Sequence, residues 1–279
     1  TSIGGMVMTL IAARAIGTGG WRAGYVALAL PTFLIAAPLV ALTIRTRPPD
    51  EERGAAASAN PLAGGLELGP ALRSRSFWMI AAAQLCFSLA GAGATVHTVP
   101  FLIRTGFAPD RAAQVFSVTF GLASVGKFLM GYGADRLGGR VALALTMAVA
   151  GAGQILLLGA RSTPALWAYV LIYGMMSGAP LALIPMVIAE SFGLKRFGSV
   201  SGLTGICITL GGAIGPLLGG LIVDSGVGYP AAFALFAAAL AAGAAAALAC
   251  SPLDTGPTVA SAAGAEGNSA DDQDSLTIS

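Results

Sequence analysis

One lysine stands where a lysine is expensive. In "SVGKFLMGYGADRLGGR", Ser124–Arg140, Lys127 lies inside an apolar run that closes on an Asp-Arg pair. An ammonium group held near a bilayer interior costs several kcal/mol, so an ionisable side chain there is a functional candidate, and its chemistry is the capture of an anion. Its helical neighbours at i±3 and i±4 are Ala123, Ser124, Met130 and Gly131, a mostly small face that suits a bundle interior better than lipid. A second reading stays open. At 1.5 Å per residue Lys127 is roughly 10 Å from the end of its run, and its long stem could snorkel towards Asp135. His97, the sole histidine, precedes Pro100 by three residues. It could bind substrate or relay a proton, its pKa being able to fall near neutrality, or it could be a neutral, hydrogen-bonded core residue.

Two further patterns could move helices rather than bind anything. In "GYGADRLGGR", Gly131 permits close helix approach, Gly138 permits a tight reversal, and Asp135 places an anion where the positive macrodipole end of the next helix is expected. "GGAIGPLLGG" sets Gly211, Gly215, Gly219 and Gly220 around Pro216, a small-residue face that allows tight packing and, through the proline, bending. No Asp or Glu falls in the middle of an apolar run; Glu190 and Asp224 sit at run ends. Cys86, Cys207 and Cys250 are single, with no CxxC pair, so neither a disulfide framework nor a thiolate metal site is indicated. No metal-ligand cluster, cofactor motif or nucleophile-base constellation points to an enzyme.

These residues need elements that live in lipid. The chain of 279 residues is 56% hydrophobic and 10% charged, with mean hydropathy +0.80, far from soluble averages. Since a hydrocarbon core takes about 20 apolar residues per helix, the sequence predicts eight spans, at residues 1–16, 21–44, 77–103, 112–134, 141–159, 165–189, 202–223 and 230–250. A net charge of +2 gives no reason to invoke nucleic acid. The distribution of charge says more: nine basic residues flank one side (45–75, 136–140, 195–196) and Arg14, Arg22, Arg104, Arg111 and Arg161 the other. The positive-inside rule makes the first side cytoplasmic.

Residues 45–76, rich in Pro, Gly, Ala and charge, read as a cytoplasmic linker with one short surface helix near 65–73, and residues 251–279 as a disordered cytoplasmic tail. The stretch from Ser2 aligns without a gap on that from Thr209, pairing Gly4, Gly5, Leu10 and Gly19 with Gly211, Gly212, Leu217 and Gly226. The first span then corresponds to the seventh, and the repeating unit is six helices, as in one large class of secondary transporter. On that expectation the chain holds helices 5–12 of a twelve-helix protein: residues 1–44 close a first bundle, and 77–250 form a complete second one.

The turn "GYGADRLGGR" resembles the signature loop of the major facilitator superfamily, with Gly131, Asp135, Arg136, Gly138 and Arg140 in register; Val141 stands where the family often carries a second base. The resemblance implies an all-α membrane fold and a latch at Asp135 and Arg136 that breaks during alternating access. The Gly-Pro run around Pro216 is similar to a motif of antiporters in the same superfamily. "HTVPFLIRTGFAPDRAAQVFS" and "IAESFGLKRFGSVSG", with a base four residues before Gly131, resemble the monocarboxylate and oxalate:formate branch. That branch implies a cation holding the substrate carboxylate at the place of Lys127. The expected function is secondary transport of a small organic anion across the inner membrane, with protons as a second candidate partner and no cofactor. A drug/proton antiporter of the same superfamily and a non-transporting membrane protein are the alternatives.

Overall fold

The computed structural model describes residues 2–43, 68–159 and 163–251, and all but the turns of that chain is helical. Among the described residues ten α-helices follow one another: α1 (Ser2–Pro31), α2 (Ala37–Thr43), α3 (Leu68–Arg73), α4 (Arg75–Arg104), α5 (Pro109–Leu137), α6 (Gly139–Leu158), α7 (Thr163–Ser177), α8 (Pro180–Phe192), α9 (Phe197–Asp224) and α10 (Tyr229–Leu248). Among the described residues, seven stretches are long and apolar enough to cross a membrane, including 19–42 and the paired α7–α8, which together make one span, 163–192. Eight are expected from the sequence. The difference lies at the front, where residues 2–18 fall short of the roughly 20 that a bilayer takes. The break between the first two expected segments is at Gly20, whose φ of 72° and ψ of −177° leave the helical region. A π-helical turn, Thr32–Ala36, then joins α1 to α2 behind Pro31.

The six spans from α4 to α10 form a bundle. Its turns place Gly106, Gly226 and Gly228 at one end and Gly138 and Gly193 at the other, all with positive φ; the two ends are called here the Gly106 end and the Gly138 end. Ser74 starts α4 by accepting the Phe77 N–H at 3.2 Å while donating to the Ala71 carbonyl at 2.7 Å. The short helix expected near 65–73 is α3; it rests on α4 with Ala71 fully buried rather than lying free on the surface.

Lipid tails are as apolar as leucine, so the helices are held by close packing more than by expulsion of water. Phe101, Phe233 and Phe236 interlock between α4 and α10, with ring centroids 5.2 and 5.9 Å apart along the series. Gly93 leaves room for the Phe236 ring and Gly243 for the Met147 methyl. At the Gly138 end Ser76 donates to the Ser251 carbonyl at 3.2 Å and accepts the Ser251 N–H at 3.0 Å. Arg140, at the start of α6, donates to the Cys250 carbonyl. A guanidinium there also meets the negative end of the α10 macrodipole. The expected tail lies, apart from Ser251, outside the described residues, as does most of the expected linker.

Candidate functional site

A cavity of about 250 Å³ opens between α4, α5, α7, the start of α8 and α9. Its place follows from glycines on α5 and the α7–α8 break. A methyl group at Gly126 would overlap the Met175 carbonyl, and one at Gly178 would sit 2.6 Å from the Ala123 carbonyl. Here α5 lies directly against the α7 backbone, and the next residue along, Lys127, lines the cavity half-buried. Lys127 is the sole charged side chain among the lining residues.

The rest of the wall is aromatic, aliphatic, small or hydroxylic. Phe116 and Phe120 on α5 lie with centroids 4.9 Å apart, and Tyr169 and Tyr173 on α7 stack at 5.3 Å and 9°. The hydroxyls are engaged locally. Thr95, Thr98 and Thr119 donate to the carbonyls of Gly91, Ala94 and Val115 at 2.6–2.8 Å, Ser177 to Gly174 at 3.1 Å, and Ser88 across to Ile208 on α9 at 2.6 Å. A hydroxyl whose proton is given to a carbonyl offers only lone pairs to whatever enters. The hydrogen-bond donor of greatest strength on this wall is therefore the Lys127 ammonium.

His97 is on the other side of α4. It is 9% exposed and does not line the cavity; Nε2 lies 3.0 Å from the Pro216 carbonyl on α9. A carbonyl only accepts, so Nε2 carries the proton. The ring sits between Tyr229 and Phe236, with centroids 6.1 and 6.4 Å away. The structure thus separates two residues that the sequence nominates together as substrate contacts.

The Gly-Pro run forms the seam on which His97 rests. Methyl groups at Gly211 and Gly215 would overlap the Leu85 and Leu89 carbonyls, and one at Gly219 would meet the His97 ring at 2.5 Å. Gly220 faces open space, so the stripe is Gly211, Gly215 and Gly219, four residues apart on one face. Below it Gln84 donates to Thr204 at 3.0 Å, a buried bond between the same two helices.

At the Gly138 turn, φ 82° and ψ 147° reverse the chain between α5 and α6, and the Gly138 N–H closes α5 on the Ala134 carbonyl at 2.8 Å. Asp135 and Arg136 are exposed; Arg136 donates to the Tyr132 hydroxyl at 2.6 Å and covers its ring. The position expected for Asp135, beside the first turn of α6, is taken by Glu190 at the end of α8, whose Oε1 accepts the Gly139 N–H at 3.2 Å. Space beside Gly131 is open, so the close approach expected there occurs at Gly126 instead.

Sequence reasoning also passes over Gln154, a fully buried amide on α6 behind Tyr173. A lone amide in an apolar span is the signal that could have found it. Next to it a methyl at Gly153 would lie 2.9 Å from Tyr173 Cβ, so α6 backs directly onto the aromatic wall.

Comparison with known proteins follows the same lines. A human protein named solute carrier family 67 member A1 is 34% identical over 163 residues, 56% of this chain and 38% of its own length. An MFS-type transporter of Gibberella moniliformis is 25% identical over 235 residues, 82% of this chain and 53% of its own. The E. coli fucose:proton symporter superposes with a TM-score of 0.63 at 19% identity, over 84% of this chain and 58% of that one. A structure of the transporter FucP in the outward conformation gives 0.58 at 21%, over 82% and 54%. The chain thus spans about half the length of the relatives it matches. The Major Facilitator Superfamily model matches residues 1–205 and again 98–271. This multi-pass membrane chain, helical in nearly all of its described residues, belongs to the Major Facilitator Superfamily.

Proposed function

We propose that the six-helix bundle of residues 77–250 is the second half of a secondary transporter that carries a small carboxylate by alternating access, residues 1–44 supplying helices of the first half. One observation carries the proposal: the side chain of Lys127 lines a cavity whose other walls are uncharged. A single ammonium among engaged hydroxyls and aromatic rings selects an anion and leaves a cation without a partner. Lysine acts on a carboxylate as a point charge rather than a two-pronged fork, so charge is read more strictly than shape. Replacing Lys127 by Ala in the full-length transporter should abolish carboxylate uptake while the protein still reaches the membrane, and Lys127→Arg should retain part of it. Unchanged uptake in the alanine variant rejects the assignment.

In this reading the basic flanks place the Gly138 end, the linker 45–76 and the tail 251–279 in the cytoplasm of a cell whose inner membrane holds the protein. Asp135 and Arg136, exposed beside the Gly138 turn, then latch the two bundles together on the cytoplasmic side. The fucose:proton symporter couples its sugar to protons by name; proton coupling is the corresponding proposal here, with anion exchange as its competitor. The aromatic lining favours one second reading, export of drug-like molecules. Resistance phenotypes in a deletion strain, with normal growth on carboxylates, would put that reading first.

A further inference from the structure

The cavity is long, and its two ends differ. Along α5 the lining runs from Phe116 through Phe120 to Lys127. At 1.5 Å per residue the backbone rises about 10 Å from Phe120 to Lys127 and about 16 Å from Phe116. Lys127 lies towards the Gly138 end, while Phe116 and Phe120 lie towards the Gly106 end. Across the cavity, the stacked Tyr169 and Tyr173 also precede the α7–α8 break and so lie on the Gly106 side of it. The cavity therefore has a cationic end and, displaced from it along α5 and α7, two pairs of aromatic rings on neighbouring helices.

Resting on the proposal that Lys127 holds a carboxylate, we infer that the site takes monocarboxylates with a flat apolar body, of the arylalkanoate kind, rather than two- or three-carbon acids or dianions. An acid of two or three carbons is short against the backbone rise of about 10 Å between Phe120 and Lys127, and leaves most of the aromatic surface uncovered. A dianion such as oxalate brings two charges to a wall with one cation, and the second is left beside threonine hydroxyls whose protons are already given to Ala94 and Val115 carbonyls. An aryl ring separated from its carboxylate by two or three carbons reaches both ends at once. Rings gain from offset or edge contact with other rings, and an aromatic wall built from two neighbouring helices suits a planar body.

The test is uptake of three radiolabelled acids, 3-phenylpropionate, lactate and oxalate, into vesicles carrying the full-length transporter, its Lys127→Ala variant or its Phe120→Ala variant. The expected result is uptake of 3-phenylpropionate well above lactate and oxalate. Lys127→Ala removes it, and Phe120→Ala weakens its apparent affinity about tenfold, the loss for one aromatic contact surface. Phe120→Leu, which keeps apolar bulk, recovers part of that loss and guards against a merely misfolded alanine variant. Uptake of lactate or oxalate that depends on Lys127, with 3-phenylpropionate excluded, overturns this inference and leaves the carboxylate proposal standing. Uptake of all three acids unaffected by Lys127→Ala, or of none, overturns both.

Discussion

Two walls of the same bundle use glycine and one ionisable residue, and they use them in opposite ways. Along the α4–α9 seam, Gly211, Gly215 and Gly219 bring backbones together and His97 closes the remaining gap by donating to the Pro216 carbonyl. Between α5 and α7, close contacts at Gly126 and Gly174 draw the helices together, and the side chain after Gly126, Lys127, lines a space instead of filling one. The seam satisfies its polar group with protein, as buried polar groups generally are. The cavity wall has its polar group where a solute can supply part of the environment. The difference teaches that an ionisable residue in an apolar helix says where to look, and that the neighbouring helix decides what the residue does.

The comparison breaks most visibly at the glycines. Gly215→Leu and Gly126→Leu each drive a side chain into a neighbouring backbone, and overpacking of that kind costs about 1–3 kcal/mol or more. Both should lose most of the monodisperse peak in fluorescence-detected size exclusion. If Gly126→Leu behaves like the parent, α5 and α7 are not in contact and the cavity has another shape.

Next in size is the functional contrast. Lys127→Ala should lower carboxylate uptake at least about thirtyfold, as loss of one partner of a buried charge pair does, while the protein keeps its monodisperse peak in size exclusion. His97→Phe should do the reverse: a loss of about 1 kcal/mol for the bond to the Pro216 carbonyl, read by thermal unfolding, with substrate preference unmoved. A His97→Phe variant whose preference among acids changes would put His97 back among the substrate contacts.

The Gly138 turn gives a smaller effect. Glu190→Gln should cost about 0.3–1 kcal/mol, the value of a carboxylate at a helix N-terminus, whereas Asp135→Asn should leave thermal unfolding unchanged because the Asp135 side chain is exposed. The smallest change expected is Gly220→Ala. Open space awaits the methyl, and alanine's better helix propensity should leave the melting temperature level or slightly raised.

Much of this could be read from residue order. The apolar runs mark the spans, Gly138 marks a reversal, and the small residues around Lys127 place it on an inward face, since helical periodicity fixes which side chains share a face. Periodicity does not say what covers that face. His97 lies on the same helix as cavity residues Ala94 and Thr98, and the turn of α4 alone sends it to α9 instead. Glu190 escapes because it is 51 positions from the Gly139 N–H that it binds, and the nearer Asp135 offers the simpler assignment. Gly131 carries the signature, yet Gly126 makes the close contact; composition treats them alike, and only the course of α7 separates them. The sixth predicted span reads as one helix, but α7 ends at Ser177 and α8 begins at Pro180. That break brings Ser177 and Gly178 to the cavity.

The hydrogen bonds joining Ser76 to Ser251, and Arg140 to Cys250, bear on how the bundle answers a mechanical load. Ser76 and Ser251 are 175 positions apart in sequence yet adjacent in space. A tug on the chain at Ser251 does not peel α10 away alone, because it pulls at once on the first turns of α4 and α6. The first and last helices of the bundle are yoked at one end, so tension reaching it there is shared among α4, α6 and α10.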